Sequence, residues 1–457
     1  MMSRALLCGA ALATLSFAPA AMACTESPTG TYTCSTDPSD PVARAGDDDI
    51  IVNVDTGARV DGGSDVAIAT DDRMALTNAG TIESAGNRAI ESDNDATITN
   101  TGTISALTAD AINVGNRLEL DNLGTIETGD DAVQMGDHAV IVNHAGAAIR
   151  SDDKGITGGD NGTVTNQGGI TVLNEGIELG DDAMVYNSGT ISAVEDGVQI
   201  GRNGHVINSG VIESTGPDGD GLDIDDGAVI NSGSITAAAT SGAGIDIDGP
   251  FSDAGDGFPG AYDALTINNS GLIQGGTGIL VETETYTEHG EDFYPNLQSQ
   301  IITNTGAIRG TEGTAINVGM GADTLRLGAG SVIGGTVLLG GGDDLLSFFE
   351  TGYSDGYDSL FDAGDGTDEA YFAFSDDLFE SLSWLGGVLT LEFGGDAGVF
   401  DLALTGFETY TFENAGGAIS YSTAELAGLT SQVPLPAAIW LMGLGLGGLG
   451  LTRRRQV

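Results

Sequence analysis

The sequence predicts an all-β protein, a right-handed parallel β-helix (solenoid) built from coils of about 22 residues. Two observations carry this prediction: a short motif recurs through the chain, and three aliphatic positions recur between its copies. The composition agrees with them, because 73 of the 457 residues are Gly and only 6% are aromatic. A solenoid needs few large side chains, since each coil buries only a thin strip.

The recurring motif is Asn-x-Gly-x-Ile. It begins at Asn78, Asn100, Asn122, Asn166, Asn187, Asn208, Asn231, Asn269 and Asn304, with a looser copy at Asn143. Apart from two long gaps, successive Asn residues are 21 to 23 positions apart. Helical repeats have longer periods, from about 33 to 47 residues. Asn tolerates a left-handed backbone, and stacked Asn side chains can hydrogen-bond along an axis. We therefore expect an internal Asn ladder.

Three aliphatic positions accompany each copy of the motif. The first includes Ile82, Ile104 and Ile126, the second Ile90, Ile112 and Val133, and the third Leu76, Ile98 and Leu120. Most of these residues are β-branched and favour strands, while the Gly, Asn and Asp residues between them favour turns. Three strands per coil, stacked at about 4.8 Å, give roughly 13 coils and a rod about 60 Å long.

The predicted organisation follows the repeat. Residues 24–45 form an N-terminal cap, 46–350 the repeats, 351–431 further β coils and a C-terminal cap, and 432–457 a tail. The two long gaps predict insertions near 249–263 and 282–300 that protrude from one edge of the rod. They hold a dense aromatic cluster, which makes them candidate ligand contacts, with structural padding as the alternative. The candidate aromatic residues are Phe251, Phe258, Tyr262, Tyr286, Phe293 and Tyr294.

The charge is strongly acidic, with a formal net charge of −53. Four of the 14 basic residues lie in the end segments, which leaves 10 basic residues against 67 acidic ones in the body. Such a surface repels nucleic acid and anionic lipid, and it favours divalent cations, high salt or a cationic partner. The simplest interpretation is a solvated acidic surface.

The N-terminus has the pattern of a signal peptide over residues 1–23. Arg4 precedes an apolar stretch from Ala5 to Phe17, and Ala21-Met22-Ala23 forms a small-x-small cleavage site. Cleavage leaves Cys24 and Cys34, an even count in an oxidising compartment, so we expect a disulfide between them. The alternative is a lipoprotein acylated at Cys24, which would leave Cys34 without a partner.

The C-terminal tail resembles the VPLPA-type sorting signal, a relative of the PEP-type signals that exosortases process. Its residues are Val433, Pro434, Leu435, Pro436 and Ala437, followed by an apolar run from Ala438 to Leu451 and by Arg453, Arg454 and Arg455. The apolar run, expected as a hydrophobic helix, is shorter than the roughly 20 residues of a stable span. The resemblance implies transient anchoring in the inner membrane of a Gram-negative bacterium, then cleavage by an exosortase-like protease. The alternative is a permanent anchor.

The body resembles the passenger region of autotransporter-type adhesins, and Gly406-Phe407-Glu408-Thr409 resembles a segment near the ends of such passengers. A further resemblance, to the calcium-binding nonapeptide of RTX proteins, rests on three Gly-x-Gly-x-Asp turns. These turns end at Asp323, Asp344 and Asp368. The aspartates are 21 and 24 residues apart, where the RTX repeat has nine, and the leading Gly is absent. Two interpretations of these turns stay open: the aspartates bind calcium, or the turns are purely structural.

The function expected from these features is that of a secreted cell-surface or extracellular-matrix protein, either a structural component or an adhesin, without enzyme activity. Its expected partners are an exosortase-like protease and an extracellular polysaccharide or surface protein, but not nucleic acid. The alternative from another class is a β-helical polysaccharide lyase or hydrolase. No catalytic residue stands out, because carboxylates are abundant and His138, His144, His205 and His289 are scattered.

Overall fold

The computed structural model describes residues 24–28, 30–35, 40–44, 46–249, 251–253, 263–283, 285–288, 291–350, 359–394 and 400–429. The predicted signal peptide and the whole sorting tail, for which the sequence predicts a hydrophobic helix, lie outside these residues. The described chain is a parallel β-solenoid of about 13 turns, which confirms the predicted fold class.

Each coil contributes one strand to each of three faces, named here for the aliphatic position that they bury. Face 1 consists of Arg59–Asp61, Thr81–Ser84, Thr103–Ala106, Thr125–Thr128, Ala148–Ser151, Gly169–Val172, Thr190–Ala193, Val211–Ser214 and Ser234–Ala237. Face 2 consists of Val42–Arg44, Ile68–Thr70, Ile90–Ser92, Ile112–Val114, Val133–Met135, Ile156–Thr157, Ile177–Leu179, Val198–Ile200, Leu222–Ile224 and Ala243–Ile247. Toward the C-terminus, the two faces continue as single strands at Leu272–Val281, Ala307–Asn317 and Val332–Leu338.

Face 3 runs almost the whole length of the described rod. Its strands are Thr31–Cys34, Ile51–Val54, Ala75–Asn78, Thr97–Asn100, Glu119–Asn122, Val140–Asn143, Thr163–Asn166, Met184–Asn187, Gly204–Asn208, Gly227–Asn231, Leu265–Asn269, Ile301–Asn304, Thr324–Leu327, Leu345–Phe348, Glu369–Phe372 and Thr409–Asn414. The ladder Asn therefore closes its strand from Asn78 to Asn304 and keeps strict register from coil to coil.

The predicted register of the core is confirmed. Ile104 pairs with Ile82 and Ile126, and the other two aliphatic positions stack in the same way. All thirty of the repeated aliphatic side chains are buried, none of them more than 2% exposed. Stacking like on like fills the narrow interior with β-branched side chains that pack well on a pleated surface. The core is therefore a set of continuous aliphatic files.

Both ends of the described rod change to antiparallel pairing. Thr25–Glu26 pairs with Thr31–Cys34 at the start, where the structure contains the Cys24–Cys34 disulfide. At the other end, Gly417–Ser422 pairs antiparallel with Thr409–Asn414, and a short helix follows at Thr423–Leu429. The remaining C-terminal elements are strands Leu360–Asp362, Phe379–Leu385, Val388–Phe393 and Phe400–Thr405 and a 3-10 turn at Asp376–Leu378.

The two insertions form a small sheet separate from the faces of the rod. Phe251–Asp253 pairs antiparallel with Glu291–Phe293, which also pairs with Tyr286–Glu288. The segments that the sequence places near 249–263 and 282–300 thus join each other although they belong to successive coils. The rod presents them as one unit.

Candidate functional site

The Asn ladder lies inside the rod and is satisfied by its own members. The side-chain amide of Asn166 donates to Oδ1 of Asn187 at 2.8 Å, and that of Asn187 donates to Oδ1 of Asn208 at 2.8 Å. The same amide of Asn187 also donates to the carbonyl of Val211 at 3.0 Å. The backbone differs from the expectation, because left-handed φ angles occur instead in the preceding turns, as at Arg117 and His138. The Asn ladder therefore has a structural role, and its residues have the backbone conformation of a strand.

A second internal file changes its chemistry along the rod. It is the position two residues before the third aliphatic residue, occupied upstream by buried Met74, Ala96 and Leu118. In the last coils of the repeat the same position holds polar residues. They are Gln300, Asp323, Asp344, Asp368 and Glu408, named here the acid file. Its first four members are at most 2% exposed, whereas Glu408 is exposed.

Each member of the acid file accepts a hydrogen bond from the backbone of the preceding coil. The N–H of Gln300 donates to Oδ1 of Asp323 at 2.6 Å, that of Asp323 to Oδ1 of Asp344 at 2.7 Å, and that of Asp344 to Oδ1 of Asp368 at 2.8 Å. The N–H of Asp368 donates to Glu408 at 2.8 Å. The file is therefore a continuous side-chain to main-chain ladder over successive coils.

The second carboxylate oxygen of each aspartate in the acid file takes no part in this hydrogen-bond ladder. Among the described residues, Oδ2 of Asp323, Asp344 and Asp368 is buried and has no hydrogen-bond partner. Burial raises the pKa of Asp323 to about 8 and that of Asp344 to about 6, with the neighbouring carboxylates contributing. Burial and the charges of Glu408 and Asp343 also raise the pKa of Asp368. These three residues are the aspartates of the RTX-like turns, so the structure brings them together.

The glycines of these turns are required by close stacking. Gly342 has φ of +140°, and a Cβ there would lie 1.6 Å from the carbonyl oxygen of Gly321. Gly366 is in the same relation to Gly342, again at 1.6 Å. A larger residue would push adjacent turns apart, because only Gly allows such an approach. Turn geometry therefore explains the glycines, while it leaves the buried carboxylates unexplained.

A different acidic cluster lies where the first insertion leaves the rod. Asp223 and Asp246 are paired neighbours in adjacent coils, with Asp220 and Asp248 close to them. Burial, together with the neighbouring carboxylates, raises the pKa of Asp223 and Asp246 well above its usual range and that of Asp220 to about 7. Asp223 also accepts from the amide of Gln199 at 3.0 Å. These carboxylates hold protons more strongly than exposed ones.

Three further aspartates, Asp130, Asp131 and Asp153, each offer one oxygen within 4.8 Å of the others, and all three are half-buried. The pKa of Asp131 is raised by burial, although the backbone of Lys154 donates to that carboxylate. Hydrogen bonds from the protein thus already engage part of this cluster. It differs from the acid file in being open to water.

The candidate aromatic residues are only partly described. Phe258 and Tyr262 lie outside the described residues, and Tyr294 is half-buried beside the small sheet. The backbone register places Phe251 and Tyr286 opposite Phe293, on either side of its strand. The structure therefore brings three of the six candidates to one row of the insertion sheet.

Face 1 bears a shallow groove of about 650 Å³ that the sequence did not indicate. Glu83, Ser105, Glu127, Arg150 and Thr171 line it, one from each of five successive coils. Leu107 and Leu173, 68% and 57% exposed, belong to its lining as well. The groove runs along the rod and combines hydroxyl, charged and apolar groups.

The comparisons with known proteins concern the tail. Residues 432–456 match the PEP-CTERM protein-sorting motif, a stretch that contains Val433–Ala437 and Arg453–Arg455 and lies outside the described residues. No curated protein and no solved structure matches the chain. Within the part of the chain that the structure describes, no helix has the length and apolarity to cross a membrane.

A motif of this kind implies export to the cell surface with transient membrane anchoring, and exosortase is its general processing partner. The tail resemblance noted in the sequence is thus confirmed, and an exosortase is the processing partner that it implies. The chain is a β-solenoid that carries a PEP-CTERM sorting signal at residues 432–456.

Proposed function

We propose that this protein is a structural rod of a Gram-negative cell surface or extracellular matrix, with an adhesin-like role and no catalytic activity. The observation that carries the proposal is the combination of a long β-solenoid with a PEP-CTERM motif. A solenoid presents a repeated surface over many coils, which suits adhesion to extended polymers. The negative charge of the body repels nucleic acid and anionic lipid from that surface.

Two surfaces are the proposed contacts with an extracellular polysaccharide or a surface protein. The insertion sheet supplies the aromatic row, and insertions on one side of a solenoid commonly form its binding face. The groove of face 1 presents one face-1 side chain from each of five successive coils, and these side chains are acidic, hydroxyl-bearing or basic. A linear glycan lying along the groove would meet one such side chain per coil.

Sorting is tested by following the tail. We expect the surface-exposed protein to lack the apolar segment, with cleavage at or near Val433–Ala437, because an extended Pro-containing junction suits a protease. Replacing Pro434 and Pro436 by Ala should retain the precursor in the membrane. Intact-mass measurement checks this, and a surface form that still contains Arg453–Arg455 would instead establish a permanent anchor.

A polysaccharide lyase or hydrolase is the second candidate, and the Asp223 and Asp246 pair favours it. Glycoside hydrolysis uses two neighbouring carboxyl groups, one with a raised pKa as the acid and the other ionised as the nucleophile. Incubation with acidic and neutral polysaccharides, followed by assay of reducing ends and unsaturated products, separates the two functions. Product release that disappears in Asp223→Asn and Asp246→Asn variants would replace the structural proposal.

Calcium enters the proposal as a stabiliser of the rod. The RTX-like turns and the acidic body both favour a hard divalent cation. In a structural protein the ion would hold coils together and would take no part in a reaction. We therefore expect calcium to raise the melting temperature of the protein more than magnesium does at matched ionic strength.

A further inference from the structure

Face 3 has an uncharged, largely apolar outer surface in a chain whose net charge is −53. This surface extends over seven strands, from Val140–Asn143 to Ile301–Asn304, and its outward side chains include no Asp, Glu, Lys or Arg. They are named here the face-3 patch and consist of Val140, Val142, Thr163, Thr165, Met184, Tyr186, His205, Ile207, Ala228, Ile230, Thr266, Asn268, Ile301 and Thr303. The charge of these coils is therefore carried by their turns and by the other two faces.

The centre of the face-3 patch is its most apolar part. Tyr186, Ile207 and Ile230 stack in register on adjacent strands and are 36%, 40% and 47% exposed. Met184 and Ala228 lie on the same strands, in the second outward column. A contiguous apolar patch on a soluble protein commonly marks a contact surface, because single exposed apolar residues are normal whereas rows of them are not.

The size of the face-3 patch fits a reversible protein–protein interface. Seven strands stacked at about 4.8 Å give a length of about 34 Å, and four or five residues per strand at about 3.3 Å give a width of about 15 Å. Two such surfaces in contact bury on the order of 1,000 Å² in total, the lower limit of a specific interface. We therefore expect an affinity in the micromolar range.

Charge favours a second copy of the chain as the occupant of the face-3 patch. Acidic turns repel another acidic rod, whereas the patch lets two copies meet without placing like charges in contact. A cationic partner would instead be attracted to the acidic turns. Two sheets pack face to face at about 10 Å through side chains of this kind, and a pair related by a two-fold axis uses the same patch on both copies.

The two edges of the face-3 patch differ and determine the direction of pairing. Acidic residues border the edge where the strands begin: Asp137, Asp160, Asp182 and Asp263. Uncharged residues border the edge where the strands end: Gln167, Ser188, Ser209, Ser232, Ser270 and Thr305. A two-fold axis parallel to the rod brings the acidic edge of one copy over the uncharged edge of the other. An axis across the rod would bring acidic edge against acidic edge, which is unfavourable.

We propose that the face-3 patch pairs two copies of the chain side by side, face 3 against face 3, with both rods pointing the same way. The pairing extends the proposed structural role, because a matrix needs contacts between rods. Its test depends neither on cleavage of the tail nor on binding of a polysaccharide, so either proposal can fail without the other.

The test measures the mass of the exported protein, recovered from cells, by size-exclusion chromatography with light scattering. The parent should shift from monomer to dimer as its concentration rises. Added sodium chloride should favour the dimer, since it screens the repulsion between acidic rods and leaves apolar contacts in place. A parent that is monomeric at about 100 µM, well above the expected range, would overturn the inference. Pairing that weakens with added salt would overturn it too, as an ionic contact.

Ile207→Asp/Ile230→Asp places two carboxylates at the centre of the face-3 patch and should weaken pairing by about tenfold or more. The matched control is Leu385→Asp/Ile419→Asp, which adds the same charge at exposed apolar residues outside the patch and should pair like the parent. Ile207→Thr/Ile230→Thr, which repeats the residue type of Thr165 in the same column, should also weaken pairing and serves if the Asp variant does not fold. Equal pairing by the parent and either patch variant would contradict the inference.

Chemical cross-linking tests the direction of the rods. The native Cys24 and Cys34 form a disulfide, so a thiol introduced by Val140→Cys at one end of the face-3 patch is the one that reacts. Rods that point the same way bring equal coils together, and a bismaleimide should then join two Val140→Cys copies. Cross-linking only in a mixture of Val140→Cys and Ile301→Cys copies would mean opposite rods and would overturn the proposed arrangement. A monomeric parent whose binding to an insoluble polysaccharide is lost in the Asp variant would assign the patch to a glycan instead.

Discussion

The Asn ladder allows a prediction of stability with a matched control. Replacing Asn187 by Val keeps the side chain about the same size but interrupts the ladder in mid-rod. The buried amide of Asn166 loses the Oδ1 that it contacts at 2.8 Å, and Asn208 and Val211 each lose a donor. An unsatisfied buried donor costs about 1–3 kcal/mol and each lost bond about 1 kcal/mol. We expect a loss of about 3–5 kcal/mol in the free energy of unfolding.

The control is Asn78→Val at the start of the ladder. Asn78 stacks on Val54 in the coil below, so no ladder amide donates to it from that side. The substitution removes donors to Asn100 and Thr103, and the half-buried Gly80 N–H can turn to water. We expect a loss of about 1–2 kcal/mol from these bonds.

Urea unfolding followed by far-UV circular dichroism compares the two variants with the parent. A break in the middle of a repeat array also deprives neighbouring coils of their stacking partner, so Asn187→Val should broaden the transition. Equal losses in both variants, or none in Asn187→Val, would refute the view that continuity of the ladder stabilises the rod.

Three further predictions follow from the same structure. Ile191→Asp buries a charge in an aliphatic file and should abolish soluble expression or cooperative melting; a variant that melts like the parent would contradict the core register. Burial raises the pKa of Asp220 from 3.8 to about 7, so the folded protein holds a proton that the unfolded chain releases. This bound proton contributes about 4 kcal/mol at most to the free energy of unfolding. The contribution is complete below pH 3.8 and is lost as the pH rises through about 7. The melting temperature should therefore be higher at pH 5 than at pH 8.5, and the difference should shrink in Asp220→Asn; an unchanged difference would exclude this group as its source. Reduction of the Cys24–Cys34 disulfide should lower the stability of the N-terminal end by about 2–3 kcal/mol. Proteolysis there should therefore be faster with reductant, and equal cleavage rates with and without reductant would contradict the prediction.

The sequence by itself determined the architecture, the core and the tail. Coil-to-coil register turns a sequence period into stacked files, so the recurrence of Ile82, Ile104 and Ile126 was enough to predict which side chains meet. The PEP-CTERM motif is likewise readable from residues 432–456, because a sorting signal acts as a linear segment.

Only the tertiary structure decided the membership of the acid file. Gln300 and Glu408 lie outside the Gly-x-Gly-x-Asp pattern, yet they continue the same hydrogen-bonded file, Gln300 buried and Glu408 exposed. Their polar character at an otherwise apolar position was the available signal. Which carboxylate oxygen meets a backbone N–H, and which is left buried, depends on how adjacent coils pack. The pairing of the two insertions was decided in the same way, since the paired strands belong to different coils and only the stacking of those coils brings them together.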